Sequence, residues 1–173
     1  MQKNSGFTLI ELLIVISLVG VLSGILLSTI NVNRQRDIAN DSVRASTMSK
    51  LAQGFESFFA SSGRPATDSD TDYNPFTNTN ASELAEIGRF IVSWPSTNVS
   101  GQDYRYYSNS SNFCLSVPMA SVTTTYYKYM NPDAVTASAC KGKVMRGCTN
   151  QCSSAGTGFS TTGCTNLDGV TCN

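Results

Sequence analysis

The sequence predicts an α+β protein. A long N-terminal α-helix, hydrophobic in its first half and amphipathic in its second, packs against a small antiparallel β-sheet, with a disulfide-rich C-terminal loop region. Three observations predict this. From Leu12 to Asn33 there are 22 residues with no charge and no proline. From Ile38 to Phe59 apolar residues recur at three- and four-residue steps, the mark of a helix with one buried face. Beyond residue 90, short runs rich in Tyr, Thr and Val alternate with Asn, Ser, Gly and Pro, as strands alternate with turns.

Composition narrows the function classes. A chain of 173 residues suits one domain plus an anchor. A formal net charge of zero provides no global basic field for nucleic acid. The chain has no histidine, which removes histidine triads, histidine metal sites and histidine pH switches. Six cysteines, all after residue 113, point to an oxidising, extracytoplasmic compartment.

As a helix, the uncharged run rises about 33 Å, enough to cross a hydrocarbon core of about 30 Å. Glu11 stands at its N-terminal edge. An ionisable group in an apolar span is costly and calls for a partner. The only nearby upstream cation is Lys3, in the polar leader Met1 to Gly6. A cut after Gly6 makes the Phe7 amine a cation, four residues from Glu11 on one helix face. That amine pairs with its own Glu11 or with Glu11 of a neighbouring helix, and a pair between neighbours fixes the axial register of packed subunits.

The stretch Gly6-Phe7-Thr8-Leu9-Ile10-Glu11 resembles the processing site of type IV pilins and pseudopilins, the class III signal peptide family with its prepilin-type methylation motif. The resemblance covers residues 1–30 closely and 31–61 in general character. It implies a prokaryotic source, cleavage by a prepilin peptidase between Gly6 and Phe7, with Thr8 next along, and N-methylation of Phe7. It implies that Glu11 and Phe7 serve assembly into a homo-oligomeric helical filament, with inner-membrane assembly machinery as partner and membrane lipid around the helix before assembly. A secretory signal peptide differs, because its cleavage site follows the apolar core.

The expected organisation is a leader at 1–6, a transmembrane or filament-core helix at 7–30, a globular head at 31–137 and a cysteine-rich region at 138–173. Lys3 keeps the leader inside by the positive-inside rule, whereas Arg34 and Arg36 argue the opposite way. The cysteines decide for a head outside. The precursor is then a single-pass protein of the inner membrane with its C-terminus outside, and the resemblance implies a cell-surface filament after assembly. Gly20 and Gly24 form a G-x-x-x-G, a spacing that lets membrane helices approach closely, although glycine is also common in such helices. The resemblance also implies a loosening of this part of the helix in the assembled filament, in related pilins commonly near a proline. This chain has none before Pro65, so softening would rest on Gly20 and Gly24.

The helix is expected to continue from Asn31 to Ser61, on the order of 80 Å from Phe7. Ile38, Ala45, Met48, Leu51, Ala52, Phe55, Phe58 and Phe59 form its stripe; Arg34, Arg36, Asp37, Asp41, Arg44 and Lys50 supply most of the polar remainder. Gly54 weakens it by about 1 kcal/mol relative to alanine. Gly63 and Pro65 end it. In the loop that follows, Asp68, Asp70, Asp72 and Asn74 offer alternating oxygen ligands of the kind calcium takes. Tyr73 and Thr79 stand where an EF-hand needs glycine and glutamate, so the readings left are a looser calcium site or a solvated acidic loop. No other cofactor is called for.

Asn80 to Glu83 reads as a capping box for a short helix to Phe90, with Leu84, Ile87 and Ile91 facing inward. Residues 91–94, 104–107, 112–117 and 121–130 read as three or four antiparallel strands on the helical stripe. The tyrosines at 104, 106, 107, 126, 127 and 129 either divide between core and surface or stack a ligand. Cys114, Cys140, Cys148, Cys152, Cys164 and Cys172 are disulfide candidates whose pairing the sequence leaves open among fifteen. The resemblance implies a disulfide-bounded, filament-exposed C-terminal loop, where specificity resides.

The function these readings point to is a structural subunit of a type IV pilus-like filament and not an enzyme. Alternatives are a type II secretion pseudopilin, a minor pilin, or a DNA-uptake pilin that uses Lys141, Lys143 and Arg146. The surface ligand is left open. A membrane-anchored enzyme is remote, since the sequence offers no paired acid, nucleophile–base or phosphate-cradling arrangement.

Overall fold

The computed structural model describes residues 6–29, 31–66, 87–91, 94–95, 97, 102–153 and 158–172, without the side chains of 26–29. The chain divides into two units, Met1–Arg36 and Asp37–Asn173.

In the first unit, helix α1 (Leu9–Thr29) opens at Thr8, whose carbonyl accepts the N–H groups of Glu11 at 3.1 Å and Leu12 at 3.3 Å. Helix α2 (Val32–Ser62) begins here and continues into the second unit. The single helix expected from Phe7 to Ser61 is therefore two. Asn31 accounts for the second start. Its side-chain carbonyl accepts the Arg34 N–H at 3.2 Å and its backbone carbonyl accepts the Gln35 N–H at 3.2 Å, so it is the N-cap of α2. Gly20 and Gly24 are helical in the single chain. The far end matches expectation. Gly63, at φ 70°, donates its N–H to the Phe59 carbonyl at 2.9 Å and closes α2 in a left-handed cap.

In the second unit α2 lays Met48, Leu51, Ala52, Phe55 and Phe58 into the core, with Ala45 and Phe59 half-buried beside them. Ile38, expected in the stripe, is exposed. Gly54, read as a weakness, is the gap on which residues 87–91 rest. A Cβ there would stand 2.6 Å from Ile91 Cγ1 and 3.3 Å from the Phe90 carbonyl. Ile87 and Ile91 face inward as expected; Leu84 and the capping box lie outside the described residues.

Two polar residues of α2 depart from the sequence reading. Asp41 and Arg44 are buried, not solvated. Asp41 accepts the N–H groups of Ala120 at 2.6 Å and Ser121 at 3.1 Å, together with the Ser121 hydroxyl. Arg44 donates to the Pro118 carbonyl at 2.5 Å and to Gln102 Oε1 at 2.7 Å. Burial without these partners would cost several kcal/mol; with them the pair clamps the helix to the far loop of the sheet. Asp41→Ala strands two backbone donors. We expect it to lower the unfolding free energy by about 2 kcal/mol, measured by urea denaturation of the detergent-solubilised chain, with Asp41→Asn retaining part of the loss.

The sheet is an antiparallel meander in chain order: β1 (Arg105–Ser108), β2 (Phe113–Pro118), β3 (Tyr126–Met130), β4 (Met145–Cys148) and β5 (Thr165–Asn166). The first three overlap the predicted runs: β1 and β2 each run one residue past the predicted end, to Ser108 and Pro118, and β3 starts only after a turn at 122–125. Ile91 and Trp94 are not in a strand. Two further strands come from the cysteine-rich region, which lacks the two-residue alternation that marks a strand.

Alternation divides the sheet into two covered faces. Tyr106, Phe113, Leu115, Val117, Tyr127 and Tyr129 meet α2, where Phe55 stacks on Tyr106 at a ring separation of 4.4 Å. Cys114, Met130, Met145 and Cys148 face the other way, into a second cluster with Cys140, Cys152, Cys164 and Cys172. Every residue of β2 is buried in consequence. The six cysteines form three disulfides, Cys114–Cys152, Cys140–Cys172 and Cys148–Cys164, so crosslinked chain serves as the second covering layer.

Beneath this layer lies a fully buried cation. Lys128 Nζ donates to the carbonyls of Ser160 at 2.9 Å and Asn150 at 3.4 Å, and burial lowers its pKa to about 8. Below pH 8 the lysine is protonated both folded and unfolded. Between about 8 and its ordinary value of 10.5 the folded state has released a proton that the unfolded state keeps, so stability rises with pH. Near pH 10 the trend reverses, because burial raises Tyr104, Tyr127 and Tyr129 while unfolded tyrosines begin to ionise. Thermal melts should therefore peak between pH 8 and 10, and Lys128→Met should flatten the rise.

Candidate functional site

Gly6, Phe7 and Thr8 form an exposed, non-helical approach to α1. A Cβ added at Gly6 would meet nothing within 4 Å, so this chain's own packing does not require the glycine there. Glu11 lies in the first turn of α1, where the helix dipole favours a carboxylate, and it is exposed.

Along α1 the apolar side chains are exposed on every side, from Leu9 at 84% to Ile25 at 57%. Two serine hydroxyls are satisfied within the helix. The Ser17 hydroxyl donates to the Leu13 and Ile14 carbonyls at 2.8 and 2.9 Å, and Ser23 donates to Val19 at 2.7 Å. Such back-bonding suits a helix without water around it. Gly20 and Gly24 leave open surface, with nothing within 4 Å of either added Cβ. Among the described residues no helix is long and apolar enough to cross a membrane; the side chains of α1 are described only to Ile25, and the uncharged run extends to Asn33.

The other predicted sites divide. Asp68, Asp70, Asp72 and Asn74 lie outside the described residues, among which no group of acidic or cysteine side chains is arranged to hold a metal. Tyr104, Tyr106, Tyr127 and Tyr129 are core residues, and Tyr107 and Tyr126 pack on the disulfide cluster. Lys141, Lys143 and Arg146 are exposed, but Lys143 pairs with Asp168 at 3.3 Å, which reduces the local basic charge.

One feature of the second unit had no sequence signal. A cleft of about 400 Å³ lies between α2 and the C-terminal region, with Ala52, Val144 and Leu167 among its lining residues. Glu56 lines it and accepts the Tyr129 hydroxyl at 2.9 Å. Burial raises the pKa of Glu56, nearby Asp133 adds to the effect, and the Tyr129 hydrogen bond opposes both. Its components lie on α2, β3 and the tail, so only the fold brings them together.

Residues 1–27 match the family model described as the prokaryotic N-terminal methylation motif. No curated protein and no solved structure gives a match to the chain. The motif is consistent with a class III signal and, with the helix-and-sheet fold, supports a type IV pilin-like or pseudopilin protein of structural type, with a membrane-anchored precursor.

Proposed function

We propose that this chain is the precursor of a structural subunit of a type IV pilus-like filament. The observation that carries the reading is α1, an apolar helix exposed all round, behind a methylation motif. Such a surface is stable only in lipid or against other apolar helices. Cleavage between Gly6 and Phe7 frees the Phe7 amine, which is then N-methylated. Subunits held in the inner membrane by residues 7–30 move laterally into a growing helical array, where their α1 segments exchange lipid for one another. Glu11 meets a Phe7 amine of a neighbour, which removes the cost of an unpaired charge and sets the register. Gly20 and Gly24 supply surface for close approach. The head and its disulfide-covered sheet face outward.

Mass spectrometry of the N-terminal peptide, run separately on sheared extracellular material and on membranes, tests this. An N-methylated Phe7 terminus in the sheared fraction supports the surface subunit. The same terminus confined to membranes supports a pseudopilin in a short periplasmic fibre. An intact Met1 leader in both fractions removes the assembly mechanism.

A further inference from the structure

The crosslinked layer is tied to the sheet by two side chains that the assembly reading does not use. Ser116 and Lys128 are cross-strand partners in β2 and β3, two residues along from the Cys114–Met130 pair and on the same face. Both are buried, Ser116 at 1% exposure and Lys128 at 0%. Both bind the backbone of the segment that carries Cys152. The Ser116 hydroxyl accepts the Cys152 N–H at 3.0 Å. Lys128 Nζ reaches both arms of the segment, the Asn150 carbonyl on the way out and the Ser160 carbonyl on the return. A Cβ at Gly158 would run into the Ser153 backbone, so the two arms lie against each other there. At the base, the N–H and the hydroxyl of Thr149 donate to the Thr162 carbonyl, each at 3.2 Å.

Apolar burial gives this segment little direction. Between Thr149 and Thr162 its one large apolar residue is Phe159, which packs on Tyr107. The register of the sheet adds a distance to cover. Cys148 stands opposite Tyr126 in β3, whereas Cys114 stands opposite Met130. Those positions lie about 13 Å apart along the sheet, and a disulfide joins Cα atoms no more than about 7 Å apart. Once β4 has paired, Cys148 is out of reach of Cys114. Cys152 reaches it only if the chain is led back beneath β3, and a segment without a hydrophobic face needs polar anchors for that path.

We propose that Lys128 and Ser116 are positioning residues for disulfide pairing: they dock the segment 150–160 on the sheet so that Cys152, and no other cysteine, is joined to Cys114. A cation suits the central anchor, because its hydrogen bonds to carbonyls are stronger than those of a neutral donor and one ammonium can hold both arms. In the joining step the two thiols lose two protons and two electrons and their sulfurs bond. A disulfide oxidant takes up the electrons and is left as two thiols. The lysine exchanges nothing in this step and acts by fixing where the Cys152 sulfur stands. The proposal is independent of the filament reading.

Reoxidation of the reduced, full-length chain in detergent tests it, with reduced and oxidised glutathione below pH 8, where Lys128 keeps its charge. Free thiols are blocked at the end point, and the bonds are mapped by fragmenting the linked peptides in a mass spectrometer. In the wild type Cys114 should be bonded to Cys152. Lys128→Met should lower the ratio of Cys114–Cys152 to all other bonds of Cys114 about tenfold, and Ser116→Ala about threefold. Cys140–Cys172, which lies outside the docked segment, should still form in both. Val117→Ala opens a gap on the α2 face of the same strand. It should lower the melt of the head and leave the ratio unchanged. A wild-type ratio in Lys128→Met or in Ser116→Ala overturns the proposal, and so does an equal fall in Val117→Ala. Loss of Cys140–Cys172 along with Cys114–Cys152 in the anchor variants also overturns it, since that is the result of a head that has lost its fold as a whole.

Discussion

Glu11→Val should leave leader cleavage and membrane insertion unchanged and lower sheared filament about a hundredfold. The substitution makes α1 more apolar and preserves its start, since the backbone of Thr8 supplies the acceptors for the first turn. Insertion should therefore survive. The array loses the partner of the Phe7 amine. A cation left unpaired among apolar helices costs several kcal/mol, and each 1.4 kcal/mol is a factor of ten in subunit addition. The check is the mass of the N-terminal peptide in membranes together with the amount of sheared material. Wild-type filament yield from this variant would sink the register argument, whatever became of the head.

The second large effect belongs to the underside of the sheet. Cys114→Ser with Cys152→Ser removes a crosslink spanning 38 residues. On the loop-entropy account this lowers stability by about 4 kcal/mol, a large share of the 5–15 kcal/mol typical of a domain. The covering layer buries few large aliphatic side chains: Val135, Met130 and Met145 are its main apolar contacts beside the cysteines. Little else replaces the crosslink. Guanidinium denaturation of the detergent-solubilised chain should show the loss, and protease should then cut within residues 149–162 before it cuts α2. A melt unchanged from wild type would mean that packing alone holds the layer.

The N-terminal end was legible because its signals are local: a glycine, a phenylalanine and a glutamate at fixed spacing before an uncharged run. The stripe on α2 was legible for the same reason, and so was the stop at Gly63. Asp41 and Arg44 were not. At helical spacing a buried acid or base looks the same as a solvated one, and the partners of these two lie 58 to 80 residues further along. Asn31 carried a usable signal, an N-cap residue at the end of the apolar run, which the length of that run obscured. Strands β4 and β5 escaped because Met145-Arg-Gly-Cys and Thr165-Asn have neither length nor alternation. Their pairing is imposed by β3 on one side and by disulfides on the other. The cleft residues Glu56, Tyr129, Lys143 and Asp168 escaped for a simpler reason, that no two of them are neighbours in sequence.

The meander order of the sheet has a consequence for how the molecule is made. Each strand pairs with the one that follows it, so the sheet can close strand by strand as the chain emerges, with few long loops to order first. The crosslinks do not share that order. Cys114 emerges ahead of all other cysteines, and Cys140 and Cys148 both follow it before its native partner, Cys152. The earliest thiols available to Cys114 are thus the wrong ones. A head that folds quickly must either keep Cys114 reduced until residue 152 has arrived, or pass through a mispaired bond and exchange it. The slow step in making this protein is therefore expected to be thiol chemistry on the underside of the sheet, after the backbone has found its fold.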